Sequence, residues 1–126
     1  MRTSNFSFLE RDEPQLARFG ELAEAYFSSD PSAALIKLRQ FAEHVAKDVA
    51  ARQGLLTDPG APFDDVLRAL RVGSVLPRDV AELLYHLKRV GNAAVHDDEG
   101  SAGDALEALK IARQTAIGFH RSYGGA

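Results

Sequence analysis

Apolar residues recur every three or four positions along most of this 126-residue chain, a spacing that places them on one face of an α-helix. The pattern breaks at clusters of Gly, Pro, Asp and Ser, which divide it into five stretches. No stretch alternates every second residue as a half-buried strand does. The sequence therefore predicts an all-α fold, an antiparallel helical bundle of four to five helices. They are expected to begin near residues 12, 31, 63, 77 and 101–104, and to end near residues 27, 53, 72, 96 and 123.

Residue types that favour helix ends support several of these boundaries. Asp12 and Asp30 are the expected N-caps of the first two helices, and Pro31 suits a first helical position. Gly54 and Gly73 are expected to end the second and third helices.

The second helix has the most regular apolar face, so Leu38 and Phe41 at its centre are predicted core anchors. Each of the four longer helices has such a face. The faces comprise Leu16, Phe19, Ala23, Tyr26 and Phe27; Leu35, Leu38, Phe41, Ala42, Val45 and Val49; Val80, Leu83, Leu84, Leu87, Gly91 and Ala94; and Ala105, Ala108, Leu109, Ala112, Ala116, Phe119 and Tyr123.

The length suits one domain over residues 1–126, because 126 residues bury a single hydrophobic core but not two. Residues 1–11 lack helical spacing yet carry Phe6, Phe8 and Leu9, so they are predicted to form an N-terminal arm that packs on the bundle. The final Gly124-Gly125-Ala126 resembles a cut between domains. The chain is therefore expected to be the N-terminal part of a longer protein.

Charge and cysteine content narrow the function classes. The formal net charge of −3 gives no overall basic field, so any contact with nucleic acid must be local. The chain has no cysteine, which excludes disulfides and thiol catalysis. It also lacks an apolar run long enough for a signal peptide or membrane span, so a cytoplasmic location without membrane contact is predicted.

Residues 87–96, LKRVGNAAVH, are the stretch with the most distinctive chemistry. At about 100° per residue, Arg89, Asn92 and His96 lie within about 60° of one another on a helix, opposite the apolar face. An amphipathic helix needs a polar face in any case, so simple solvation is one interpretation. The alternative is a site, because Gly91 and Asn92 both lower helix propensity where Glu or Lys would raise it.

The chemistry of this stripe fits metal-free cleavage or binding of a phosphate ester. His96 can exchange a proton near neutral pH, Arg89 can hold a phosphate, and Asn92 can orient the reacting groups. Arg39, Glu43 and Tyr85 are predicted binding partners near this stripe. No spacing of His and acidic residues indicates a metal site, and the acidic run Asp97-Asp98-Glu99 is expected to be a solvated helix end.

Four segments resemble the helical domain at the N-terminus of many type I restriction enzyme R subunits: NFSFL (5–9), DPSAALIKLRQFAE (30–43), LP (76–77) and GNAAVH (91–96). That domain is similar to the HEPN group of helical bundles, whose members often dimerise. HEPN ribonucleases carry an arginine and, after four to six residues, a histidine. Arg89 and His96 match this window, but Val90 stands where those ribonucleases usually have a polar residue.

The resemblance implies two alternative functions. The first is an interaction or dimerisation module of an R subunit or related helicase, itself neither nuclease nor motor, in a parent type I site-specific deoxyribonuclease. ATP and Mg²⁺ are then expected in the parent protein, and no cofactor in this domain. The second is a metal-independent endoribonuclease using Arg89 and His96. Expected partners are a second copy or other restriction-system subunits, with nucleic acid as a further candidate.

Overall fold

The fold is described by a computed structural model that covers residues 5–55, 58, 60–97 and 100–123, without the side chain of Asp97. These residues form five α-helices and no strand. A short 3₁₀ helix, Ser7–Leu9, precedes them. The helices are α1 (Pro14–Tyr26), α2 (Pro31–Arg52), α3 (Phe63–Val72), α4 (Arg78–Asp97) and α5 (Ala102–Tyr123). The predicted all-α fold is confirmed.

Most helix ends lie where the sequence places them. The carboxylate of Asp30 accepts a hydrogen bond from the backbone N–H of Ala33 at 3.1 Å, and Pro31 is the first residue of α2. Gly54 follows the end of α2 with a φ of +71°, a conformation that glycine adopts at no steric cost. Gly73 directly follows α3.

The predicted N-cap of α1 is wrong. The capping position is Glu13, not Asp12, and no side chain caps this helix. Pro14 explains the shift, since proline pushes the residue before it out of the helical region; Glu13 has φ −138° and ψ 66°. Asp12 instead pairs with Arg11 at 3.2 Å.

Helix α2 lies at the centre of the bundle and contacts the other four helices. It runs antiparallel to α4, because Leu35 near its start lies beside Gly100 after α4, and Arg39 contacts Asn92. It runs in the same direction as α5, since Gln53 after its end donates a hydrogen bond to the Tyr123 hydroxyl at 3.1 Å. Helices α4 and α5 are thus antiparallel to each other. Helix α3 runs in the same direction as α2, since Phe63 at its start lies beside Arg39 and Gly73 after its end lies beside Leu55.

The predicted core is largely confirmed. Leu38 and Phe41 are fully buried, and the whole predicted face of α2 is buried with them. Tyr26 is an exception at 38% exposed, because it is the last residue of α1 and the chain turns towards α2 directly after it. Phe19, Phe27, Val80, Leu83 and Tyr123 are partly buried at the margins of the core.

The N-terminal arm packs on the bundle where the structure describes it. Phe6 and Leu9 are buried, whereas Phe8 is 38% exposed. The ring of Phe6 meets the edge of Phe41, with 5.6 Å between centroids. It also lies over Gly20 of α1, where any Cβ would overlap the ring. Residues 1–4 of the arm and the C-terminal 124–126 lie outside the described residues.

Candidate functional site

The candidate site lies where α4 crosses α2. Gly91 is buried at this crossing, and a Cβ built there would overlap the Cβ of Arg39 on α2. The backbone of α4 therefore approaches α2 as closely as only glycine permits. This close approach accounts for the unfavourable helix residue at position 91.

Arg39 is the centre of a polar cluster at the crossing. Its Nε donates a hydrogen bond to Oδ1 of Asn92 at 2.5 Å, and its Nη1 donates to Oε1 of Glu43 at 3.2 Å. Its guanidinium carbon lies 5.6 Å from the centroid of the Phe63 ring on α3, within cation–π range. Lys47 adds an ion pair to the other oxygen of Glu43 at 3.1 Å. One arginine thus links α2 to both α3 and α4.

An ion pair also joins α3 to α4 near this cluster. Lys88 Nζ lies 2.5 Å from Oδ1 of Asp64 in the first turn of α3. The hydrogen bond from Lys88 lowers the pKa of the Asp64 carboxyl below its ordinary value. The short helix α3 is therefore held by polar contacts at its N-terminal end.

Tyr85 and Arg89 line an open groove of about 730 Å³ between α3, α4 and α5. Arg89 Nη2 is 3.4 Å from Nδ1 of His86, a donor–acceptor pair when that nitrogen is unprotonated. The groove carries two guanidinium groups and two carboxylates. Its lining residues are Arg71, Asp79, Glu82, Leu83, Tyr85, His86, Arg89, Ile111 and Gln114.

His96 lies exposed in the last turn of α4, about 10 Å along the helix axis from Arg89 at 1.5 Å per residue. A cationic imidazole at a helix C-terminus interacts favourably with the helix dipole. The neighbouring acidic run lies outside the described residues, except for the backbone of Asp97.

The structure therefore separates the six predicted site residues into two groups and one single residue. Arg39, Glu43 and Asn92 meet in the cluster, and Tyr85 and Arg89 line the groove. His96, in the last turn of α4, belongs to neither group. Arg89 and His96 keep their side chains in solvent, where both can reach a ligand. The carbonyl oxygen of Asn92 is already engaged by Arg39.

Sequence reasoning missed the contributions of Gly91, Phe63, His86 and the Lys88–Asp64 pair to this region. Gly91 had a detectable signal, namely its cost to helix propensity. The others had none, because their partners lie on helices whose relative placement no local pattern defines.

A further polar groove of about 620 Å³ lies between α1 and α2. Glu13 contacts Arg52 at 3.4 Å and His44 at 4.0 Å, and Arg52 also pairs with Asp48 at 2.9 Å. Burial raises the pKa of the Glu13 carboxyl, and the nearby Asp48 raises it further.

Among the residues that the structure describes, no group of three or more His, Asp or Glu side chains is arranged to hold a metal ion. No described helix is long and apolar enough to cross a membrane.

The fold and site define a small helical bundle with an apolar core and a polar cluster where α4 crosses α2. Residues 21–117 match the family described as Domain of unknown function (DUF4145), and the chain belongs to that family. Over 123 residues it is 31% identical to the N-terminal part of the type I restriction enzyme EcoKI endonuclease subunit of Escherichia coli (strain K12). The resemblance to the N-terminal domain of type I restriction R subunits is confirmed.

The alignment covers 96% of this chain but 10% of that relative, so the chain spans about a tenth of its length. No solved structure matches the chain. The HEPN relationship accordingly stays a prediction.

Proposed function

We propose that this chain is a non-catalytic interaction and dimerisation module of a type I restriction R subunit or related helicase. In this proposal the module is neither the nuclease nor the motor, and it holds the DNA-cleaving, ATP-dependent subunit to a partner. The partner is a second copy or another restriction-system subunit. The similarity to a restriction endonuclease subunit, extending over 96% of the chain, supports the assignment to such a system.

The observation that favours a non-catalytic role is the hydrogen bond from Arg39 to Asn92. Asn92, the central residue of the predicted stripe, is half-buried and uses its carbonyl oxygen to fix α4 against α2. Gly91 beside it serves the same helix crossing. The two unusual residues that suggested a catalytic stripe therefore have a packing explanation.

Residues for an interaction surface remain on the groove side of α4. Tyr85 is half-buried and Arg89 is exposed, and both are residue types that contribute strongly to binding energy in protein interfaces. The partly buried Leu83 and Ile111 add an apolar floor. An apolar centre with a charged rim is the usual composition of a protein contact.

A metal-independent endoribonuclease is the second candidate, favoured by the exposure of both Arg89 and His96 on one side of α4. In that case His96 takes the proton from a 2′-hydroxyl as its oxygen attacks the neighbouring phosphorus. The P–O5′ bond breaks, which leaves a 2′,3′-cyclic phosphate and a 5′-oxygen that takes a proton from water. Arg89 offsets the charge that develops on the phosphate oxygens.

An RNA cleavage assay in EDTA separates the two candidates. We expect no cleavage above background by the wild-type chain, and the same background for His96→Ala and for a His86→Ala control. Metal-independent cleavage that His96→Ala abolishes and His86→Ala retains would contradict the non-catalytic proposal.

The interaction itself is tested by titrating the chain with the other purified subunits of the same restriction system. We expect saturable binding that Tyr85→Ala weakens. Lys110→Ala, at an exposed position of α5, is the surface control and should leave the binding unchanged. Absence of binding to every subunit, together with a monomeric chain, would refute the module.

A further inference from the structure

An apolar groove of about 340 Å³ lies on the bundle between α2, the α3–α4 connector and the last turns of α5. Its walls are mainly valine, leucine, proline and aromatic side chains. They comprise Val45, Val49, Val75, Leu76, Pro77, Val80, Phe119 and Tyr123, with Thr115, Gly118, Arg121 and Ser122 from α5. This volume is at the lower end of the about 300–1,000 Å³ usual for ligand sites, so it suits a few side chains.

Gly118 forms an open part of this groove and has no explanation within the bundle. It lies inside α5, where glycine is among the poorest helix formers. A Cβ built at Gly118 meets no atom within 4 Å, whereas at Gly20 and Gly91 it would overlap Phe6 and Arg39. Those two glycines make room for a neighbour in the same chain. Gly118 leaves room for something outside it.

The positive charge of Arg121 at this groove indicates which charge a binding partner would carry. Among the described residues that line the groove, Arg121 is the single charged side chain. It is exposed, and no described carboxylate lies within ion-pair distance of it. An occupant with apolar side chains and one carboxylate would complement both the walls and the rim.

We propose that this groove binds a short amphipathic segment of another protein, with apolar side chains packed over Gly118 and an acidic side chain paired with Arg121. An amphipathic helix laid in an apolar groove is a common mode of peptide recognition. The inference rests on the proposed role as an interaction module. It assigns that role a second docking site, separate from the Tyr85–Arg89 groove, and a partner chemistry.

The test selects binders for the wild-type chain from a phage library of random peptides, then measures the affinity of the enriched peptides by fluorescence anisotropy. Enriched peptides should combine apolar residues with Asp or Glu. Gly118→Leu fills the groove and should weaken binding by about tenfold or more, the scale of a steric change in an apolar pocket. Arg113→Leu, at another exposed position of α5, should leave the affinity unchanged.

Two further variants complete the test. Thermal unfolding establishes that each variant folds, and Gly118→Ala, with a smaller side chain, should give an intermediate loss of affinity. Arg121→Glu should shift the selection towards peptides with Lys or Arg. If the peptides have no charge preference, or bind Gly118→Leu as tightly as wild type, the proposal is overturned.

Other results separate this inference from the proposed function. If a restriction-system subunit binds equally well to wild type and Gly118→Leu, the module stands and the groove is not its docking site. If peptides bind in the groove but no subunit binds the chain, the docking chemistry stands and the restriction role falls. Self-association that Gly118→Leu abolishes would make a second copy the occupant and overturn the partner assignment.

Discussion

Two glycines inside helices, Gly91 and Gly118, have opposite surroundings although their sequence contexts look alike. At Gly91 a Cβ would overlap Arg39 close to the α2 backbone, at an atom that cannot move aside without shifting the helix. At Gly118 it would enter open space. The effect of adding one methyl group should therefore differ in sign between the two residues.

We expect Gly91→Ala to lower the free energy of unfolding by about 1–2 kcal/mol, because overpacking costs more than the gain in helix propensity. Gly118→Ala, the matched control, should raise it by up to about 1 kcal/mol. Urea denaturation of both variants measures the difference. Equal shifts in the two midpoints would show that the α2–α4 crossing is looser than described.

The Arg39–Asn92 hydrogen bond joins α2 to α4, and these two helices pack against each other more extensively than any other pair in the described chain. Asn92→Ala should lower the free energy of unfolding by about 1 kcal/mol, since the half-buried Nε loses its acceptor. Asn92→Asp retains an oxygen acceptor and should cost less. If the aspartate variant loses as much stability as the alanine variant, the hydrogen bond contributes nothing.

Glu13 joins the beginning of α1 to α2, and the burial of its carboxyl group should make stability depend on pH. Since the pKa of Glu13 is raised in the folded chain, chiefly by burial, its contribution is fully present below the pKa of the unfolded chain. The contribution is lost as the pH rises through the higher folded pKa.

Wild type should therefore lose stability relative to Glu13→Gln between about pH 4 and pH 7. Asp64→Asn is the opposite case, because the Asp64 pKa is lowered by Lys88. Wild type should gain stability relative to that variant as the pH rises. Urea denaturation of wild type and both variants at about pH 4 and pH 7 measures these two changes in stability. If both changes have the same sign, the assigned surroundings of Glu13 and Asp64 are wrong.

The helix boundaries were largely predictable because they depend on local chemistry. Asp30, Pro31 and Gly73 act within a turn of their own positions, and all three do what their residue types favour. The N-cap of α1 was missed by one residue, since the effect of Pro14 on Glu13 outweighs the capping preference of Asp12.

The candidate site was predictable only in part, because its members come from different helices. Arg39 and Glu43 are one turn apart on α2, so their proximity follows from helical spacing. The contact between Arg39 and Asn92 spans 53 residues and depends on how α4 crosses α2, which periodicity does not determine. The angles around α4 that group Asn92 with Arg89 and His96 do not reveal that α2 packs against Asn92.

At the scale of the whole molecule, we expect two copies of the chain to associate through the Tyr85–Arg89 groove. A two-fold dimer places the same patch against itself, so a patch must complement its own charges. This groove does, because it carries Arg71 and Arg89 with Asp79 and Glu82. Light scattering should give about twice the monomer mass of 13.7 kDa.

Arg89→Glu should weaken this dimer, since it leaves the groove with one guanidinium against three carboxylates. Lys110→Glu, at an exposed position of α5, makes the same change of charge and should leave the mass measured by light scattering unchanged. A wild-type chain that stays monomeric at high micromolar concentration would contradict self-association.

The pairing of helices that are neighbours in sequence also affects how quickly the chain folds. Helix α1 packs on α2 and α4 packs on α5, and each pair is joined by a short connection. Closing such short loops costs little chain entropy, so both hairpins can form before the two halves meet. Bundles with many local contacts fold within microseconds to milliseconds. The slowest step should be the docking of the α4–α5 hairpin onto α2, where Gly91 and Arg39 must interlock.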